Sequence, residues 1–217
     1  MSLTQVFDCS IEDERTSGIE AAAAVLRRGE LAVLPTDTVY GVAADAFNPG
    51  AVDALLAAKG RGRDMPVPVL VANPEMLTAL VGTLPDSVAT MTAALWPGAL
   101  TVVVRHTPHL SWDLGETRGT VAVRMPDDPI ALALIERTGP LAVSSANRSG
   151  HPPATTMLDA RLQLGAAVAV YLDGGPRSSA TPSSIVDATG DGLRLLRDGA
   201  IPFERLRDHD VSRLETP

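Results

Sequence analysis

Apolar residues along this chain fall into two patterns: short, nearly continuous runs, and longer stretches with helical spacing, separated by polar turns. Ser17 and Glu20 form a capping box ahead of IEAAAAVLRR, and Gly29 supplies a stop, so residues 17 to 28 are predicted helical. LAVLP at 31 to 35 reads as a buried strand. Asn48-Pro49 opens a helix that runs to about Lys59, at its end, and VPVLV at 67 to 71 reads as the next strand. Pro74 and Pro85 suit the first turns of two further helices, the second closing near Trp96-Pro97-Gly98. ALTVVVR, TVAVR and PLAVSS follow as strands, with the helix PIALALIER between the last two. AVAVYLD, SSIVDAT and LRLLR, joined by Gly-Gly and Thr-Gly-Asp-Gly turns, predict an antiparallel portion added to the sheet.

This order predicts one α/β domain, a single twisted sheet of mixed parallel and antiparallel strands with flanking helices. Residues 1 to 14 read as a lead segment, 15 to 207 as the domain and 208 to 217 as a polar tail expected to fray. The stretches 106 to 118 and 173 to 184 are the most irregular and are expected to be mobile loops.

Two polar stretches stand out because each follows a strand. PTDTVYG at 35 to 41 comes after GELAVL, and SSANRSG at 144 to 150 comes after GPLAV. They deliver Thr36, Asp37, Thr38, Tyr40, Ser144, Ser145 and Asn147 beyond two carboxyl ends, where open α/β sheets bind ligands. Each stretch alone also reads as an ordinary turn, in which Ser, Asn and Asp satisfy local backbone and Tyr40 packs its ring.

Composition narrows the function. The chain has 217 residues, 45% hydrophobic but only 3% aromatic, so its core is built from Ala, Val and Leu. A net charge of −8 opposes a sequence-independent grip on nucleic acid. Cys9 is the one cysteine, so no internal disulfide or thiolate metal cage can form. No signal-peptide core or long apolar run is present, and the expectation is a cytoplasmic protein without a membrane partner.

KGRGR at 59 to 63 supplies the candidate anion chemistry: three cations within five residues, with glycines that let the backbone come close. The competing reading is a solvated loop, since neither GxxxxGK[ST] nor GxGxxG is present. Arg124 closes the strand TVAVR, where its planar fork suits a carboxylate; a surface salt bridge is the alternative. Asp37, Asp45, Asp64, Asp127, Asp128 and Asp187 show no metal-ligand spacing, and His106 and His109 lack supporting ligands.

In this order, GELAVLPTDTVYG, AAKGRGRDMP, LWPGALTVVV, VAVRMP, PLAVSSANRSGHPP, PSSIVD and LLRDGAI closely resemble the YrdC-like family of threonylcarbamoyl-AMP synthases, from about Gly29 to Ile201. The resemblance implies a YrdC-like fold with a concave ligand cavity. It implies an ATP-dependent nucleotidyltransferase that combines L-threonine, bicarbonate and ATP into threonylcarbamoyl-AMP and pyrophosphate. Downstream proteins then transfer the threonylcarbamoyl group to tRNA, which this enzyme meets only indirectly. Lys59 and Arg61, the KxR pair, become the catalytic and phosphate-binding cations, with Arg63 beside them. Ser145, Asn147 and Arg197 are implied ATP contacts. Thr36, Arg124 and Ser184 are implied threonine contacts, and Tyr40 and Ser144 are further candidate site residues. Mg2+ is expected to arrive on the ATP phosphates, mostly hydrated, with no protein-made metal site and no organic cofactor.

Where many members carry Pro-Leu after KxR, this chain has Pro66-Val67; a histidine found nearby in some is absent around Leu70, and Asp128 replaces a histidine before proline. Two other readings remain at this point. One is an RNA-binding module without catalysis. The other is a carbamoyl-adenylate-forming maturation enzyme, which needs cysteine-rich modules that this sequence lacks.

Overall fold

A computed structural model describes residues 4–213. Its eleven strands form one mixed sheet flanked by helices. The elements in chain order are β1 (Gln5–Asp8), α1 (Glu12–Arg27), β2 (Ala32–Leu34), β3 (Gly41–Asp45), α2 (Pro49–Lys59), β4 (Val69–Leu70), α3 (Pro74–Val81) and α4 (Asp86–Leu95). There follow β5 (Leu100–Arg105), β6 (Thr120–Arg124), α5 (Pro129–Thr138), β7 (Leu141–Ser145), α6 (Met157–Leu164), β8 (Val170–Asp173), β9 (Ser184–Asp187), β10 (Leu193–Arg197), α7 (Phe203–Arg207) and β11 (Val211–Arg213). The spatial order is β1-β8-β2-β3-β7-β4-β6-β5-β9-β10-β11.

The central strands are covered on both faces, which is why they read as continuous apolar runs rather than alternating ones. Ala32 and Leu34 of β2 join Ala43 of β3 in a core formed with α1 and α5, including Ile19, Leu26, Ile130 and Leu134. Val33, Val42 and Ala44 turn the other way, onto a core shared with Leu55 and Leu56 of α2, Leu77 of α3 and Met91 of α4. Gly41 allows the close approach of β3 to β7, since a Cβ there would lie 2.6 Å from Val143 Cγ1.

Several boundaries differ from the sequence expectation. Helix α1 begins at Glu12, not Ser17, because Glu12, Asp13 and Glu14 sit in its first turn, where carboxylates complement the helix dipole. The lead segment is not outside the fold either: β1 pairs in parallel with β8. At the other end, β11 extends the sheet beside β10 instead of fraying, while 214–217 lie outside the described residues. The strand expected over 67 to 71 contracts to Val69–Leu70, and Pro85 is the N-cap of α4 rather than a first-turn residue. Of the three late strands, β9 and β10 pair antiparallel as expected, but β8 lies far across the sheet, parallel to β1 and β2. Strand β3 and helix α6 were not foreseen. The alanines of GVAAD carry little strand propensity, whereas α6 has a legible start, the Thr156 hydroxyl accepting from Asp159 N at 3.1 Å.

Candidate active site

The KGRGR segment is positioned by the end of α2. Gly60 adopts φ 62°, ψ 40°, a left-handed cap, while Gly60 N and Arg61 N donate to Ala57 O and Leu56 O. That cap places Lys59 on the last turn of the helix and swings Arg61 out of it. Lys59 is 3% exposed, so it lies in the interior. Its Nζ donates to Ser145 O at 2.5 Å and Asn147 O at 2.7 Å. An ammonium has three donors, so one remains. Burial, reinforced by the charge of Arg61, lowers the Lys59 pKa to about 8.

Arg61 donates from Nη1 to Ser144 Oγ at 3.2 Å and from Nη2 to Pro66 O at 3.5 Å, and its Nε is buried without a partner. Burial lowers its pKa, with Asp64 opposing. Asn147 uses its amide nitrogen on Arg148 O and His151 O, but its Oδ1 is likewise buried and unpartnered. Among the described residues neither Lys59 nor Arg61 forms an ion pair. Two cations, an orphan donor and an orphan acceptor therefore surround the carboxyl end of β7. Buried polar groups normally find partners: a polyanion would accept from the free Lys59 and Arg61 donors, whereas the Asn147 oxygen calls for a ligand hydroxyl or amino group.

Arg63 does not join them. It is exposed and bridges Asp53 of α2 to Asp113 of the 106–118 loop, while its carbonyl accepts from Glu116 N at 2.9 Å. Its charge is spent on two carboxylates, so its geometry is that of a brace between α2 and the 106–118 loop.

Arg124 anchors a second polar group. It is 7% exposed and donates from Nε to Gly98 O at 2.9 Å, from Nη1 to Thr38 Oγ1 at 2.9 Å and from Nη2 to Asp37 Oδ1 at 2.6 Å. The pair with Asp37 is thus a buried one, not a surface salt bridge; desolvation lowers the Arg124 pKa and Asp37 opposes that shift. Thr36 is buried with its hydroxyl turned inward, donating to Val39 O at 2.6 Å. Arg197 lies close enough that burial and then the Arg124 charge lower its pKa; its guanidinium donates to Ser183 O at 3.0 and 2.7 Å. Ser184 is fully buried and clips Ile201, donating to its carbonyl at 2.8 Å and accepting from its amide at 3.1 Å. Tyr40 is also fully buried, its hydroxyl donating to Gly175 O at 2.7 Å and accepting from Gly174 N at 3.1 Å.

Sheet register alone does not bring the two groups together. Arg124 lies level with Leu70, and Leu70 with Leu141 at the start of β7, whereas Ser145 ends that strand. Ser144 and Ser145 belong to β7 itself rather than to the loop after it. The 35 to 40 loop makes the join. Asp37 and Thr38 hold Arg124, and Tyr40 O accepts from Ala146 N at 2.8 Å between Ser145 and Asn147. Two hollows, of about 520 Å³ beside α6 and 230 Å³ beside the end of β5, include none of these residues.

Sequence reasoning missed Arg177, whose guanidinium touches the Thr36 carbonyl, Asp128 and the Tyr40 ring. A lone cation in the irregular 173–184 stretch gave no signal. It also missed Thr101, which shares a 2.7 Å hydroxyl contact with Ser183. Asp128, where the resemblance leads one to expect histidine, caps α5 by accepting from Ile130 N and Ala131 N.

Comparison with known proteins identifies the family. The Sua5/YciO/YrdC family model, described as "Telomere recombination", matches residues 24–199. The chain belongs to this family. A relative from Mycobacterium tuberculosis, provisionally named threonylcarbamoyl-AMP synthase, is 51% identical over 206 residues covering 95% of each chain. The Bacillus subtilis threonylcarbamoyl-AMP synthase is 40% identical over 87% of this chain and 55% of its own. Among solved structures, P. abyssi Sua5 complexed with L-threonine superposes with a TM-score of 0.87 at 34% identity over 96% of this chain; the chain spans 61% of that protein.

Proposed function

We propose that the chain joins L-threonine, bicarbonate and ATP into threonylcarbamoyl-AMP and pyrophosphate. The observation that carries this reading is the near-full-length likeness to proteins named for that activity. The geometry supports it by giving the reaction two differently built ends on either side of the 35 to 40 loop. Threonine's amine and bicarbonate condense to a carbamate with loss of water. A carbamate oxygen then attacks the α-phosphorus, forming a P–O bond as the bond to the pyrophosphate leaving group breaks.

Such a displacement needs alignment and charge neutralisation more than a strong base. In this reading Lys59 and Arg61 neutralise the phosphates, and the remaining Lys59 proton and the Arg61 Nε–H are directed at phosphate oxygens. Ser145, Asn147 and Arg197 hold the rest of the nucleotide. Arg124, Thr36 and Ser184 shape the threonine end, with Tyr40 and Ser144 fixing their neighbours. For Ser184 and Tyr40 the contacts support a supporting role, since their hydroxyls are committed to backbone.

In this reading a magnesium ion is carried in on the ATP phosphates. No group of three or more potential ligands is present among the described residues, and Asp37 and Asp128 are committed to arginines. When bound, it would withdraw charge from the phosphate oxygens. The product passes to threonylcarbamoyl-transfer proteins acting on tRNA. No described helix is long and apolar enough to cross a membrane, and the reading places the reaction in the cytoplasm. Pyrophosphate release by purified protein with magnesium-ATP, omitting threonine or bicarbonate in turn, tests the proposal. Dependence on all three supports it; release indifferent to threonine rejects it.

A further inference from the structure

The Arg177 guanidinium donates to four oxygens, although it lies in a stretch without regular structure. Nη1 donates to Thr36 O at 3.2 Å and to Asp128 Oδ2 at 3.0 Å. Nη2 donates to Gly174 O and to Gly175 O at 3.1 Å. The guanidinium carbon sits 5.6 Å from the centre of the Tyr40 ring, and Arg177 N donates to Thr155 O at 2.8 Å. The side chain is 15% exposed, so these are interior bonds, and a planar fork meets several carbonyls at once in a way an ammonium cannot.

Its partner is equally committed. One oxygen of Asp128 pairs with Arg177 while the other caps α5. The preceding residue is tied to the same loop, since Asp127 N donates to Asp37 Oδ1 at 2.9 Å, and Asp37 holds Arg124. Two arginine–carboxylate pairs, Arg124–Asp37 and Arg177–Asp128, thus clamp the 35 to 40 loop from two sides, and the start of α5 lies between them.

We infer that Arg177, locked by Asp128, is a positioning residue that fixes the Thr36 to Tyr40 loop and so sets how tightly the amino-acid substrate is held. This rests on the proposed reaction for its kinetic consequence but not for its structural one. The clamp touches the threonine side of the loop and makes no contact with Lys59 or Arg61. Its loss therefore weakens the amino acid much more than the nucleotide.

Three variants test it: Arg177→Ala, Arg177→Lys, and Asp128→Asn, which keeps an N-cap oxygen for α5 while removing the charge. The expected result is a KM for threonine raised about tenfold by Arg177→Ala and a KM for ATP moved by less than about twofold. Arg177→Lys restores little, because one ammonium cannot serve Thr36 O and Asp128 from one nitrogen and Gly174 O and Gly175 O from another. Asp128→Asn raises the threonine KM in the same direction, and the double variant with Arg177→Ala adds less than the product of the two. Hydrogen exchange supplies a readout independent of turnover: the amides of Thr38 and Tyr40 exchange faster in Arg177→Ala, while those of α2 are unchanged. Unaltered exchange in this loop overturns the inference whether or not the protein is active. Equal rises in both KM values, or full rescue by lysine, also overturn it. A wild-type protein that turns over without threonine, yet shows the exchange change on mutation, removes the proposed reaction and leaves the clamp standing.

Discussion

Around Lys59 and Arg61 positive charge is buried against neutral oxygens, whereas around Arg124 it is buried against a carboxylate. The first arrangement leaves charge uncompensated and polar atoms orphaned: the Arg61 Nε and the Asn147 Oδ1. The second closes on itself, with Arg124 matched by Asp37, Thr38 and Gly98 O. Burying an unpaired charge is costly, so a protein keeps one where a ligand will complete it. A paired arginine more readily holds a loop in place and offers its remaining N–H groups to a small substrate. In the proposed reading the comparison therefore separates an end that receives a polyanion from an end that holds a shape.

Removing the uncompensated charges produces the largest effect. Arg61→Ala, or Lys59→Met, which keeps an apolar stem in the interior, is expected to lower turnover by about two to three orders of magnitude, as losing one preorganised charge donor does. Threonine binding, read by calorimetry, should persist in both. Loss of threonine binding alongside turnover would erase the distinction between the two ends.

Breaking the paired end acts first on stability. Asp37→Ala leaves Arg124 buried without its carboxylate, at a cost of about 3 kcal/mol, which corresponds to a melting temperature lower by roughly 6 to 12 °C. An unchanged melting curve would mean that Arg124 finds solvent and that the loop is not held as described.

A pH series sharpens the same contrast. Lys59 has its pKa lowered to about 8, below the value of about 10.4 for a free lysine, so the unfolded chain binds the extra proton between those two values. Its burial penalty is fully present below pH 8 and is relieved as pH rises toward 10.4. Stability owed to this group therefore does not fall on going from pH 7 to 9, but its charge does. ATP affinity of the free protein is expected to weaken several-fold over that interval, while threonine affinity stays level.

The smallest expected effect belongs to Arg63→Ala. Its guanidinium bridges two exposed carboxylates, and exposed pairs contribute little, so the KM for ATP should change by no more than about twofold. A large rise would return Arg63 to the phosphate site.

Much of this was legible from the sequence because runs such as ALTVVVR and turns such as PTDTVYG carry their own local signal. The KxR cations and the SxN turn were found by type and order, and the structure brings them together through Lys59 on the carbonyls of Ser145 and Asn147. What the sequence did not reveal depends on contacts distant along the chain. Burial of Lys59 follows from the end of β7 and the turn after it meeting the end of α2. The brace made by Arg63 requires a loop fifty residues away. Arg177 meets Thr36 across 141 residues, and no periodicity or motif marks such a meeting.

The most direct test of the account is to incubate the protein with magnesium-ATP, L-threonine and carbon-labelled bicarbonate and to identify the nucleotide product by mass. The account predicts one adenylate carrying both threonine and the labelled carbon, formed in step with pyrophosphate and lost in Arg61→Ala. Intact ATP in the complete mixture, with nucleotide and threonine both bound, would contradict it.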